Sequence, residues 1–170
     1  MNVAQIKEFD IADGPGVRVA LYTCGCTHKC PGCHNKELQD FNYGIPWTKE
    51  QEDKIISLCK SPYIRGLSIL GGEPFEPNTQ RELLPFLTKW KKEIAGKTIW
   101  CWTGCRYESE LASDSPWRCE VTDEVLNQID VLVDGPFEID KKDLRLKYRG
   151  SSNQRILALH PYVKNITSLI

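Results

Sequence analysis

Four β-rich runs, each ending in a loop of unusual residues and each separated from the next by a helical pattern, constrain this chain more than any other feature. The runs are VRVALYT (17–23), GLSIL (66–70), KTIWCWTG (97–104) and DVLVDGP (from 130). In the first, Val17, Val19 and Leu21 alternate onto one side, the period of a strand. Between the first two, Thr48-Lys49-Glu50-Gln51 has the spacing of a capping box, and Ile55, Ile56 and Cys59 follow on one helical face. This predicts a helix over about 48–60. Thr79-Gln80-Arg81-Glu82 repeats that spacing. It predicts a longer helix with Leu83, Leu84, Leu87, Trp90 and Ile94 inward, a bend at Pro85 and a stop at Gly96. A short helix is expected around 122–128.

The order β-α-β-α-β-α-β implies a mostly parallel sheet with right-handed crossovers. The fold class is therefore α/β, as an open sheet or an incomplete (β/α) barrel. Residues 105–121 read as a loop with a broken helix, and 138–170 as a basic, polar tail with little apolar periodicity. No repeat or linker divides the 170 residues, so a single domain over 1–170 is expected.

Charge excludes some partners. The formal net charge is -1, with Lys and Arg scattered along the chain, so there is no basic field to attract a nucleic acid. Neither a signal segment nor an apolar run of the roughly 18 residues that would suit a bilayer is visible, so no membrane partner and a cytoplasmic location are expected. In a reducing compartment, eight cysteines point to metal or redox chemistry rather than disulfides.

Four of them crowd into residues 24–33, within CGCTHKCPGCHN, directly after the first strand. The loops at the carboxyl ends of parallel strands share one rim, and that rim is where such folds build sites. The other loops expected there are Gly71-Gly72-Glu73, Trp102-Thr103-Gly104 and Asp134-Gly135-Pro136. Cys26, Cys30 and Cys33 form a Cys-x3-Cys-x2-Cys set without the second cysteine pair that a structural zinc site usually has. Three closely spaced thiolates suit a 4Fe-4S cluster with one iron left open for a substrate. A zinc knuckle completed by Cys24, His28 or His34 is the alternative.

CTHKCPGC (26–33) resembles the cluster motif of radical S-adenosylmethionine enzymes, and GGEP (71–74) resembles their cofactor loop. The likeness extends through DGPGVR, WCWTG, DVLVDGPF and YRGSSNQR. Within the superfamily it points to activases of glycyl-radical enzymes that serve anaerobic ribonucleotide reduction. The resemblance implies that Cys26, Cys30 and Cys33 hold three irons of a 4Fe-4S cluster and that the fourth iron is chelated by S-adenosyl-L-methionine. It implies one-electron cleavage of that cofactor to methionine and a 5'-deoxyadenosyl radical, which takes hydrogen from a glycine of the reductase large subunit. An electron donor such as flavodoxin is implied too. Gly32, Cys33, His34, Gly71, Gly72 and Glu73 are the implied cofactor-binding residues, with Glu73 accepting from the ammonium group. Gly32 stands where this family commonly has an aromatic ring, which leaves His34 as the nearer ring.

Plainer readings apply to other residues. Trp100 and Trp102 are expected to pack in a strand, Cys59 and Cys101 to be core, and Cys24 to be a spare thiol near the cluster. Asp134 is a pocket-facing candidate, and His28 and His160 are expected to be solvated. Lys141, Lys142, Arg145, Lys147 and Arg149 are expected to be a solvated loop, with a docking surface near RGSSNQR as the functional alternative. The rival functions are another radical enzyme, of the pyruvate formate-lyase activase or deazapurine synthase type, and a noncatalytic iron-sulfur electron carrier or sensor.

Overall fold

A computed structural model describes residues 1–163. Its elements are β1 (Asn2–Asp10), β2 (Val17–Thr23), β3 (Ile45–Pro46), α1 (Lys49–Cys59), β4 (Ile64–Gly71), α2 (Pro77–Glu93), β5 (Thr98–Trp102), α3 (Thr122–Gln128), β6 (Val131–Asp134) and β7 (Arg155–Ala158). The strands form one mixed sheet in the order β3-β1-β2-β4-β5-β6-β7. It is not closed. The four strands expected from sequence are its parallel middle, β2 against β4, β4 against β5 and β5 against β6. Antiparallel strands flank them, β1 beside β2 and β7 beside β6.

Alternation along the strands divides the sheet into two faces. Val19, Leu21, Leu67, Ile69, Ile99, Cys101 and Leu132 point to the face where Ile55, Ile56, Leu83, Phe86, Trp90 and Val125 of the three helices complete the main core. Their neighbours Ala20, Tyr22, Leu70, Trp100, Val131 and Val133 line the opposite face in two smaller apolar groups. Cys59 and Cys101 are core residues, as expected. The helices cover one face, and the other is left for the site.

The helix starts show where local sequence decides and where packing does. At α1 the Thr48 hydroxyl accepts from the Gln51 backbone N–H, and the Gln51 side chain accepts from the Thr48 N–H, so the capping box forms. At α2 the expectation fails. Pro77 takes the first helical position, where its missing N–H costs nothing, and the helix begins two residues before Thr79. Thr79 and Gln80 are buried inside it, and Gln80 donates to the Phe75 and Trp117 carbonyls. The helix runs through Pro85 and ends at Glu93. Gly96 follows in the left-handed region at φ +73.

The reading of 138–170 as an aperiodic tail is corrected in part, since Arg155–Ala158 is a sheet strand; the last seven residues lie outside the described ones. Within 105–121, Tyr107–Leu111 makes one π turn. Among the described residues, no helix is long and apolar enough to cross a membrane.

Candidate functional site

The loops after β2, β4 and β5 meet at the carboxyl ends of the parallel strands and line one cavity of about 1180 Å³. Cys26, Cys30, Cys33 and His34 come from the first loop, and Gly71, Gly72 and Glu73 from the second. Trp102 ends β5, and Thr103 and Gly104 follow it on the same cavity lining. Gly32 is not on the lining; its backbone packs so closely on Ile139 that a Cβ would stand 2.8 Å from it.

The cysteine loop curls because three of its residues adopt left-handed backbone, Gly25 at φ +91, Lys29 at φ +50 and Gly32 at φ +69, and Cys33 N–H donates to the Cys30 carbonyl at 3.2 Å. All eight cysteines are free thiols. Only Cys26, Cys30 and Cys33 line the cavity among those described, each partly exposed. Cys24 instead packs with Tyr22, Leu38 and Leu70 at 2% exposure, a core residue rather than a spare thiol. Burial pushes the Cys26 thiol up to about 12, with the Glu73 carboxylate adding to the shift, and burial raises Cys30 as well. Three soft sulfur donors on one cavity lining, with no fourth cysteine among the lining residues, fit an iron-sulfur cluster better than a closed zinc site. Taking up metal there must release protons.

The demand for glycine at 71 and 72 is made first by the protein itself. A Cβ on Gly71, which sits at φ +114, would approach the Thr23 carbonyl to 2.5 Å, and one on Gly72 would approach the Gly25 carbonyl to 2.4 Å. That closeness lets Gly72 N–H donate to Thr23 and Glu73 N–H to Gly25, each at 2.8 Å. The cysteine loop and the GGEP loop are thus stitched together through their backbones.

Glu73 is 1% exposed and has four donors. Its Oε1 accepts from Phe75 N–H at 2.8 Å and the Thr103 hydroxyl at 2.7 Å. Its Oε2 accepts from Gly104 N–H at 2.8 Å and His28 Nε2 at 3.0 Å. A carboxylate has about four lone-pair sites, so each is used. Three residues further on, Glu76 accepts from the Thr27 N–H and hydroxyl at 2.7 and 2.8 Å.

His28 is not solvated, contrary to expectation. Its side chain is 12% exposed and its ring stacks on Trp117 at 4.0 Å. Cys105 Sγ lies 3.6 Å from Nε2. Burial opposes charge on the ring, but Glu73 outweighs it, and His28 titrates above the usual histidine range. His28, Glu73 and Cys105 have donor atoms within 4.8 Å of one another, the spacing of a cation site, yet His28 Nε2 is already in contact with both of the others.

Other candidates have structural duties. The Asp134 carboxylate is fully buried and accepts from Tyr107 N–H at 2.9 Å and from the Arg155 guanidinium, which also reaches Glu108. Arg149 donates to the Gln154 carbonyl, Arg145 pairs with Asp143, and Lys141 with Glu138. Trp100 is core, while Trp102 is half-buried on the cavity wall with its N–H donating to the Tyr148 carbonyl at 2.8 Å. His160 bonds the Asn127 carbonyl.

Sequence reasoning missed a polar part of the cavity lining, where Lys7 donates to the Tyr22 hydroxyl at 2.8 Å and that hydroxyl donates to Asp13 at 2.6 Å. All three line the cavity. The absence of β1 from the reading hid Lys7; Asp13 lay in the DGPGVR stretch without an assigned role.

A family model described as a 4Fe-4S single cluster domain matches residues 12–157, which places the chain in the class of single-cluster iron-sulfur proteins. Three similar proteins carry one more specific name, anaerobic ribonucleoside-triphosphate reductase-activating protein. The one from Salmonella typhi is 42% identical, covering 91% of this chain and 96% of its own. That of Pasteurella multocida is 40% identical over 95% and 100%. That of Enterobacteria phage T4 is 33% identical over 92% and 93%. The chain belongs to the family of anaerobic ribonucleoside-triphosphate reductase-activating proteins.

Proposed function

We propose that this chain is a glycyl-radical-enzyme activating protein of the radical S-adenosylmethionine type, acting on the large subunit of anaerobic ribonucleoside-triphosphate reductase. The observation that carries the reading is the meeting, in one cavity, of three cysteines from the β2 loop and the Gly-Gly-Glu loop of β4. Cys26, Cys30 and Cys33 would hold a 4Fe-4S cluster. Held there and reduced, such a cluster would supply the single electron needed to cleave S-adenosyl-L-methionine to methionine and the 5'-deoxyadenosyl radical, the species that would take hydrogen from the partner's glycine.

This chain's own residues bind, orient and exclude. Gly71 and Gly72 offer bare backbone to the methionyl end, and Cys33 and His34 border the same space. Gly32 contributes by shaping the turn between Cys30 and Cys33, at φ +69. Glu73 gives the ammonium group a buried carboxylate whose direction is already set by four donors, so its contribution is fixed negative charge. The open sheet with helices on one face supports an incomplete (β/α) barrel, and one sheet running from Asn2 to Ala158 supports a single domain. An open side suits a substrate that is itself a protein loop. A soluble one-electron donor such as flavodoxin and a cytoplasmic setting complete the reading.

Anaerobic reconstitution with iron and sulfide, then reduction with S-adenosylmethionine present, tests it. Release of 5'-deoxyadenosine is expected. A reduced cluster that neither binds nor cleaves the cofactor would make the protein a noncatalytic iron-sulfur carrier, and a colourless zinc protein would remove both readings.

A further inference from the structure

The cysteine loop leaves the sheet at Thr23 and spans six residues before its second cavity-lining thiol, Cys30. A loop of that length has no fixed shape unless side chains hold it. Its stem is held by backbone bonds to the GGEP loop, through the Thr23 and Gly25 carbonyls. Thr27 is held by Glu76. Between Cys26 and Cys30, one further side chain reaches inward, that of His28.

Everything around that ring fixes it. One face stacks on Trp117 with the planes 16° apart. Gly104 lies so close that a Cβ there would stand 2.6 Å from the ring carbon Cδ2. Nε2 lies 3.0 Å from the Glu73 carboxylate, which can only accept, and 3.6 Å from Cys105 Sγ. Glu73 takes its remaining donors from its own loop and from the loop after β5. His28 is therefore the member of this set that brings the cysteine loop to the carboxylate on which the other two loops converge.

We propose that His28 is a positioning residue: its bond to Glu73 fixes the middle of the cysteine loop, and with it the Cys26 and Cys30 thiols, over the cavity. The proposal rests on the reading that these thiols hold the cluster, and it adds what aims them. Groups that orient metal ligands from behind typically change affinity or activity by about tenfold to a hundredfold when removed.

Two variants separate the bond from the bulk. His28→Ala removes ring and donor; His28→Gln keeps an N–H at nearly the Nε2 position and loses the stack. In the metal-free protein, the rate at which a small thiol reagent labels Cys26 and Cys30 is read by peptide mass mapping, with buried Cys59 and Cys101 as internal controls. The His28→Ala protein is expected to label roughly tenfold faster at Cys26 and Cys30 with no change at the controls, and His28→Gln to return most of the protection. In the reconstituted proteins, His28→Ala is expected to keep its iron and to bind S-adenosylmethionine on the order of tenfold more weakly, again with recovery in His28→Gln.

Labelling rates unchanged in His28→Ala, or a glutamine variant no better than the alanine one, would overturn the proposal. If His28→Ala does not fold, Trp117→Leu takes its place: faster labelling of Cys26 and Cys30 supports the proposal, and wild-type rates overturn it. A wild-type protein that binds no S-adenosylmethionine would count against the proposed function, while the labelling arm would still decide the role of His28.

Discussion

Glu73 and Arg18 are buried charges at opposite ends of the same parallel strands, and the polypeptide treats them differently. Arg18 lies near the start of β2, fully buried, and its hydrogen-bond partners among the described residues are all neutral. It donates to Ser68 Oγ at 2.7 Å, to the Leu67 carbonyl at 2.8 Å and to the Thr98 carbonyl at 2.7 Å. Burial pulls its guanidinium down to about 10, so it stays charged at neutral pH. Its partners belong to β4 and to the first residue of β5, all neutral and all set by the sheet. Glu73, past the other end of β4, draws its donors from three loops. A charge satisfied by strands secures the fold, whereas a charge satisfied by loops fixes those loops relative to one another, and that is what a site needs.

The comparison can be broken by experiment. The largest effect is expected at the thiols: Cys30→Ser should reduce bound iron after reconstitution to background while leaving the unfolding midpoint of the metal-free protein unchanged. A variant that unfolds with its iron would make the cysteine loop part of the fold. Next, Arg18→Leu leaves a buried hydroxyl and strand carbonyls without their donor and should cost about 3 kcal/mol in urea denaturation. The folded fraction should still take up iron normally. Glu73→Gln must turn an amide N–H2 toward a donor on one side and should cost about 2 kcal/mol, with a loss of S-adenosylmethionine affinity beyond any change in stability. If the Arg18 variant lost cofactor affinity to the same degree, the division between the two ends would fail. The smallest effect is at Cys24: alanine there should cost about 1 kcal/mol and leave the iron content per protein untouched. Loss of iron in that variant would make Cys24 a fourth ligand.

Much of the molecule was legible because the same residues serve local and global order. Thr48 and Gln51 close a cap within four residues, and β2, β4, β5 and β6 carry enough β-branched and aromatic residues to announce themselves. At Thr79 the identical pattern misled, since Pro77 outcompeted it for the helix start and Glu76 was drawn away to Thr27. β1 was missed because along NVAQIKEFD only Val3 and Asp10 are fully buried, so no alternation shows. β7 is four residues long and depends on β6 for its existence. The cysteines stood out by their spacing, and the Gly-Gly-Glu loop by its place after the next strand. His28 could not, because what buries it is Trp117, 89 positions away by the numbering, and no local pattern reports that.

Glu73 obtains its four donors from the chain alone. The acid beside the thiols is therefore aimed by groups drawn from three separate stretches of chain, so an exchange in any one of those stretches would disturb the same carboxylate.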